Sequence, residues 1–135
     1  MTELSLPSPN GYSQVASVPG ASRLVWTSGQ VPVDRTGAVA PRDWELQTRV
    51  VMENVGAVLA EAGAGWDDVF KLTIFVTDTA ELPTVRRVRD EFVNTARPPT
   101  SSLVKVAGLV HPDFLLEIEA VAAVPVTGAP PEPAA

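Results

Sequence analysis

Phe114-Leu115-Leu116-Glu117-Ile118-Glu119-Ala120-Val121 is the stretch that sets the architecture. Successive side chains of a strand point to opposite faces, so Phe114, Leu116, Ile118 and Ala120 share one face while Leu115, Glu117, Glu119 and Val121 share the other. The first set is apolar and needs a roof. The second is half apolar and half acidic, and burying it against another subunit is the economical solution. A monomer that leaves this mixed face exposed is the alternative.

The segments before this strand (residues 114–124) supply the rest of the sheet and its roof. Residues 101–109 predict a strand joined to it by a short turn at His111-Pro112. Residues 82–94 have helical spacing, with Leu82, Val85, Val88 or the Arg89 stem, and Phe92 on one face and Arg86, Arg87, Asp90 and Glu91 on the other. Pro98-Pro99 stops that helix. Residues 69–76 are a β-branched and aromatic run between Asp67-Asp68 and Asp78, the pattern of a strand buried inside a sheet.

The strongest helix begins near Asp43, with Leu46, Val50, Val51, Val55, Val58 and Leu59 on one face and Glu45, Arg49, Glu53 and Glu61 elsewhere. Asp43 is placed to cap it and Gly63 to end it in the left-handed conformation. Gly63-Ala64-Gly65 follows a helix where a phosphate loop would precede one, so it is a helix stop. A loop broken by Pro32, Asp34, Gly37 and Pro41 precedes the helix, and residues 11–18 and 22–28 around Pro19-Gly20 predict an opening hairpin. The order of elements predicts an α+β fold, a mixed sheet with right-handed crossovers and both helices packed on one face. Residues 1–124 are expected to form one domain, and residues 125–135, rich in Pro and Ala, a disordered tail.

Composition narrows the function. The net charge is −6 and the ten basic residues form no stripe able to displace counterions from phosphates, so no nucleic-acid partner is expected. The chain has no cysteine, which excludes disulfides, thiolate metal sites and thiol catalysis. A metal site would have to be built from carboxylates around the single His111, so no metal is expected. No uncharged apolar run approaches the roughly 20 residues of a membrane-spanning helix. Met1-Thr2-Glu3-Leu4-Ser5-Leu6-Pro7 lacks the basic cluster of a secretory signal, so a soluble cytoplasmic protein is expected.

Four segments, in this order, resemble the Rid (reactive intermediate deaminase, YjgF-like, endoribonuclease L-PSP) superfamily: Gly11-Tyr12-Ser13-Gln14, Ser28-Gly29-Gln30-Val31-Pro32, Glu53-Asn54-Val55 and Leu116-Glu117-Ile118-Glu119-Ala120. The resemblance implies a chorismate-mutase-like fold and a homotrimer whose sheets form a central barrel, with small-molecule clefts between subunits. From the characterised deaminases it implies hydrolysis of 2-imino or 2-enamino acids to 2-keto acids and ammonia without a cofactor. Such a reaction needs a grip on the substrate carboxylate, one positioned water and a proton carrier.

The resemblance makes Glu119 the acid at the cleft that helps orient water. It makes Tyr12 the residue that closes the pocket from the neighbouring subunit, although a lone aromatic there also suits plain packing. Ser28-Gly29 lets the backbone approach a ligand closely, or is simply a bulge at a strand exit. Glu117 shares the face of Glu119 at a spacing of roughly 7 Å and either joins it in carrying a proton or pairs with Lys105 across the final hairpin.

Ser101 stands where the deaminases carry the arginine that grips the carboxylate. A hydroxyl in place of a bidentate guanidinium loses on the order of 1.5 to 3 kcal/mol, so standard 2-imino acid deamination does not carry over to this chain unchanged. Either the charge has moved to Arg86, which matches a pocket asparagine, or the ligand has changed to a neutral amide, an enamine or a ketone-bearing intermediate held by Ser101, Ser102, Tyr12 and Ser28. Arg86 and Arg87 otherwise belong to a solvated helix face, paired with Asp90 and Glu91.

A serine nucleophile lacks an activating base and a Gly-x-Ser-x-Gly elbow. Three functions are thus open: an imine or enamine hydrolase, a trimer that binds or senses a metabolite without turnover, and an endoribonuclease or translation inhibitor. The acidic balance and the missing histidine acid/base pair argue against the third.

Overall fold

The computed structural model describes residues 10–126, so the N-terminal stretch Met1 to Pro7 and residues 127–135 of the expected tail lie outside the described residues. Its elements are β1 (Ser22–Trp26), α1 (Trp44–Glu61), a 3-10 turn at Trp66–Asp68, β2 (Val69–Val76), α2 (Leu82–Arg89), β3 (Thr100–Lys105) and β4 (Leu116–Pro125). The sheet order is β1-β4-β2-β3, with β4 antiparallel to β1 and β2, and β2 parallel to β3. This is the expected α+β arrangement of a mixed sheet with two helices.

From Leu116 onward, alternation along β4 divides the sheet as the sequence implies, whereas Leu115, expected on the open face, precedes the strand and packs into the core. Leu116, Ile118, Ala120 and Ala122 are buried with Leu72, Ile74 and Val76 of β2, in one core with Val51, Met52, Val55 and Leu59 of α1 and Val85 of α2. On the other face the register sets Glu119 beside Thr73, Glu117 beside Phe75, and Trp26 beside Val121. That face is open in the single chain, with Trp26 66% and Leu24 43% exposed.

Helix α1 starts where expected, because the extended Asp43 accepts a hydrogen bond from the Leu46 amide at 2.8 Å. It ends before Gly63, whose φ of +74° only glycine adopts without strain. Its inward face is rotated from the apolar periodicity: Leu46 is exposed, whereas Gln47 and Thr48 are fully buried. The Gln47 amide donates to the carbonyls of Ala40 and Asp113 and accepts from the Leu115 amide, so a polar side chain fastens the helix to two loops. Hydrophobic spacing carries no trace of such a role.

The opening hairpin does not form. Ser13 bridges Thr100 in parallel, and β1 pairs with β4 and not with residues 11–18. Val25 gives β1 a foothold in the core, and the ten-residue β4 offers an edge long enough to receive it. The final two strands are not a hairpin either, because β2 lies between β3 and β4. Lys105 therefore neighbours Val76 and does not pair with Glu117, which faces Phe75. Helix α2 stops at Arg89, and Glu91 and Phe92 close tight turns through their amides to the carbonyls of Val88 and Arg89.

Candidate functional site

The parallel register of β3 on β2 settles which way its serines point. Ser101 lies beside Leu72 and Leu103 beside Ile74, on the helix side, whereas Ser102 lies beside Thr73 on the open side. On the helix side a cavity of about 250 Å³ is lined by Asn10, Tyr12, Arg86, Arg89, Ser101, Ile74 and Leu103. Three sequence-predicted residues, Tyr12, Arg86 and Ser101, thus meet in one recess.

Arg89 anchors that recess. It is 4% exposed, and its guanidinium donates to Asp90 Oδ1 at 2.9 Å and to the Asn10 carbonyl at 2.8 Å. The second bond, with the Ser13 amide bonding to the Pro99 carbonyl, holds residues 10–13 over the mouth of the cavity. Gly11 is required for this passage, because its φ is +75° and a Cβ there would sit 2.7 Å from Arg89 Nη2.

The charged helix face is wired differently from the sequence expectation. Asp90 pairs with Arg89 and not with Arg86, while Arg87 meets Glu45 at 3.3 Å and Glu91 meets Arg49 at 2.9 Å. Arg49 holds the Glu91 carboxyl below the usual range. The predicted pairs at four-residue spacing fail because α2 ends at Arg89, which frees Asp90 and Glu91 to turn toward other partners. The guanidinium of half-buried Arg86 has no ion-pair or hydrogen-bond partner among the described residues.

A second group of residues lies along β4. The register slips by one residue between the Trp26–Val121 pair and the Gln30–Ile118 bridge, so Ser28 and Gly29 together face Glu119 across a β-bulge. Thr27 completes it, its hydroxyl accepting the Ala120 amide at 3.0 Å. The Glu117 carboxyl lies over Gly29, where a Cβ would come within 2.7 Å of it. Asn54 holds the following loop on α1 through hydrogen bonds to the carbonyls of Val31 and Val33 at 2.9 and 2.8 Å.

On the same open face Lys71 Nζ donates to Ser102 Oγ at 2.7 Å, and Thr73 lies between Ser102 and Glu119. The candidate residues therefore fall on two sides of the sheet: Tyr12, Arg86 and Ser101 on one, Glu119, Ser102 and the Ser28-Gly29 bulge on the other. Sequence reasoning missed Arg89 and Lys71 as members of these groups. Arg89 carried a faint signal as a charged residue at an inward helical position; Lys71 carried none. Among the described residues no cluster of three or more His, Asp or Glu is placed to hold a metal, and no helix is long and apolar enough to cross a membrane.

Comparison with known proteins gives this architecture relatives. The profile of the family described as Endoribonuclease L-PSP matches residues 2–124. A 2-iminobutanoate/2-iminopropanoate deaminase of Salmonella typhimurium is 43% identical over 102 residues, 73% of this chain and 78% of the relative. Among solved structures, the Rid-family protein YyfB of Yersinia pestis superposes with a TM-score of 0.82 at 29% identity, covering 91% of this chain and 96% of that one. Escherichia coli TdcF, solved with bound serine, gives a TM-score of 0.66 at 34% identity and covers 85% and 94%.

Proposed function

The chain belongs to the Endoribonuclease L-PSP family, the Rid/YjgF proteins, and from that premise we propose that it binds and hydrolyses a small reactive imine or enamine in clefts between the subunits of a homotrimer. One observation carries this reading: the cavity-lining residues Tyr12, Arg86 and Ser101 and the acid Glu119 lie on opposite sides of one sheet. They form one site only when the helix-side cavity of one copy meets the open face of another. The exposure of Trp26, Leu24 and Val104 on the outer strands supports burial of that surface against further copies.

The chemistry asks little of the protein. A protonated imine is electrophilic; water adds to its carbon, a proton passes to nitrogen, and ammonia leaves as the carbonyl forms. Glu119 takes the proton from the attacking water and returns one to the departing nitrogen. The Ser28-Gly29 bulge brings backbone amides close to the reacting atoms, and no cofactor takes part. The name of the Salmonella relative supports this reaction class.

The test generates 2-iminopropanoate in situ and follows its clearance together with light scattering. We expect accelerated clearance by a trimer and its loss in Glu119→Gln. A ligand-dependent rise in Tm without consumption assigns the protein to binding or sensing, the reading favoured by the hydroxyl of Ser101 where the deaminases carry arginine. A lone chain that neither binds nor clears the imine ends both readings.

A further inference from the structure

Next to the Ser28-Gly29 bulge the chain carries a recess that the imine chemistry does not use. It is an open groove of about 860 Å³, against about 250 Å³ for the helix-side cavity. One wall is the loop from Gly29 to Arg35, and the other is the flank of α1 from Asn54 to Glu61. Ala57 and Ala60 keep the helix wall low, and Val31, Val33 and Val58 make the lining apolar. Asn54 ties the walls together, its amide nitrogen donating to the carbonyls of Val31 and Val33. Both of its donors are thereby spent, and its half-buried Oδ1 is left without a donor among the described residues. An acceptor drawn out of water in this way favours a ligand that brings it one.

The charged groups of the groove complete the pattern. Asp34 is turned to Thr36 and Ala38, which take up its carboxylate. Arg35 on the loop wall and Glu61 on the helix wall have no ion pair among the described residues. We propose that this groove is a second binding site, whose ligand is a zwitterion with an apolar body, a large apolar α-amino acid. The fork of Arg35 takes the carboxylate, Glu61 and Asn54 Oδ1 take the ammonium, and the side chain lies on Val31, Val33 and Val58. A ligand with one charge leaves Arg35 or Glu61 unanswered, and the volume exceeds what an acid of a few carbons fills. The groove also borders the bulge, because Gly29 and Gln30 line it. Gln30 exchanges backbone hydrogen bonds with Ile118 at 2.7 and 3.1 Å, and Gly29 faces Glu119, so an occupant bears on the backbone beside that acid.

Titration of the 15N-labelled full chain with L-phenylalanine tests the site. The amides of Gly29, Arg35, Ala57 and Val58 should shift, while those of Tyr12 and Ser101 stay in place. In calorimetry L-phenylalanine should bind about 5-fold or more tightly than 3-phenylpropanoate, which lacks the ammonium, or L-phenylalaninamide, which lacks the carboxylate. Arg35→Gln should weaken the amino acid and 3-phenylpropanoate and spare the amide, and Glu61→Gln should weaken the amino acid and the amide and spare 3-phenylpropanoate. Ala57→Leu, at an exposed helical position, should fill the groove and abolish binding of all three probes at an unchanged Tm. Shifts confined to Tyr12 and Ser101, equal affinity for the three probes, binding that survives Ala57→Leu, or no binding at all overturns the proposal. Groove shifts that follow protein concentration without any ligand assign the groove to a second copy of the chain and overturn it as well. Clearance of 2-iminopropanoate is read separately, so none of these outcomes decides the imine reading.

Discussion

The carboxyl group of Glu117 lies directly over Gly29, so that a methyl group at position 29 would sit 2.7 Å from Glu117 Cδ. Gly29 is one of the two residues that face Glu119 across the bulge, so this contact couples both acids of β4 to the same stretch of backbone. Gly29 has no positive φ, and its neighbour is the mobile end of a side chain. Gly29→Ala should therefore cost under about 1 kcal/mol while pushing the Glu117 carboxyl aside. Denaturant melts should barely move, whereas imine clearance should fall, and Glu117→Ala in the same chain should relieve the steric conflict. A large loss of stability in Gly29→Ala alone contradicts this placement.

Gly11 presents the opposite case. Its φ of +75° disfavours any side chain, and the atom in the way belongs to Arg89, which is 4% exposed and held by Asp90 and the Asn10 carbonyl. Gly11→Ala should destabilise by about 1 to 3 kcal/mol. Hydrogen exchange should show the Ser13 amide, bonded to Pro99, losing protection first. Unchanged protection there would mean that residues 10–13 are not tied down by Arg89.

Gln47 is fully buried and makes three hydrogen bonds, to the carbonyls of Ala40 and Asp113 and from the amide of Leu115. Gln47→Leu conserves volume roughly but leaves those backbone groups without partners, which should cost about 2 to 4 kcal/mol. A leucine variant as stable as wild type would show that rearranged loops or water satisfy the same groups.

These three residues mark where the sequence is legible and where it is not. Burial of one face of β4, the buried run at residues 69–76, the Asp43 cap and the Gly63 stop follow from alternation and local backbone preference, which a single strand or helix displays by itself. Strand partners do not: nothing local in residues 101–109 reveals that β2 intervenes before β4, or that residues 11–18 yield their place beside β1. Candidate residues were chosen through motif, and three of them, Tyr12, Arg86 and Ser101, line one cavity. Their division between the two faces was not, because it depends on the register of β3 on β2. Gln47 escaped because a polar residue facing inward mimics a break in the apolar pattern, whereas the inward stem of Arg89 was legible and its partners, Asp90 and the Asn10 carbonyl, were not.

Asp34 gives a pH-dependent handle on the loop next to the bulge. Its carboxylate accepts hydrogen bonds from the Thr36 hydroxyl at 2.6 Å, the Thr36 amide at 2.8 Å and the Ala38 amide at 3.0 Å, which hold its pKa below the ordinary 3.8. A carboxyl depressed in the folded state contributes stability that is present above its unfolded value and is lost as pH falls through the folded value. The stability gap between wild type and Asp34→Ala should be constant near neutrality and should shrink only below about pH 3.8. Titration of the Asp34 side chain by NMR with a midpoint above that value would reverse the sign and refute the contact.

Trp26 tests the face on which the proposed assembly depends. It stands 66% exposed beside Val121, near Leu24 at 43%, on the sheet side that no helix covers. A tryptophan left in water gains little from its large apolar area, whereas the same ring buried between copies contributes strongly to association. Its neighbours in the core lie across the sheet, so Trp26→Glu should leave the fold of one subunit unchanged while placing a charge where partners would meet. Circular dichroism should be preserved, and light scattering should shift from trimer to monomer. Clearance of 2-iminopropanoate should fall with it, because the cavity holding Arg86 and Ser101 would then lie apart from any Glu119. A variant that stays trimeric would remove this face from the interface, and one that becomes monomeric yet keeps full activity would show that a single chain contains the whole site.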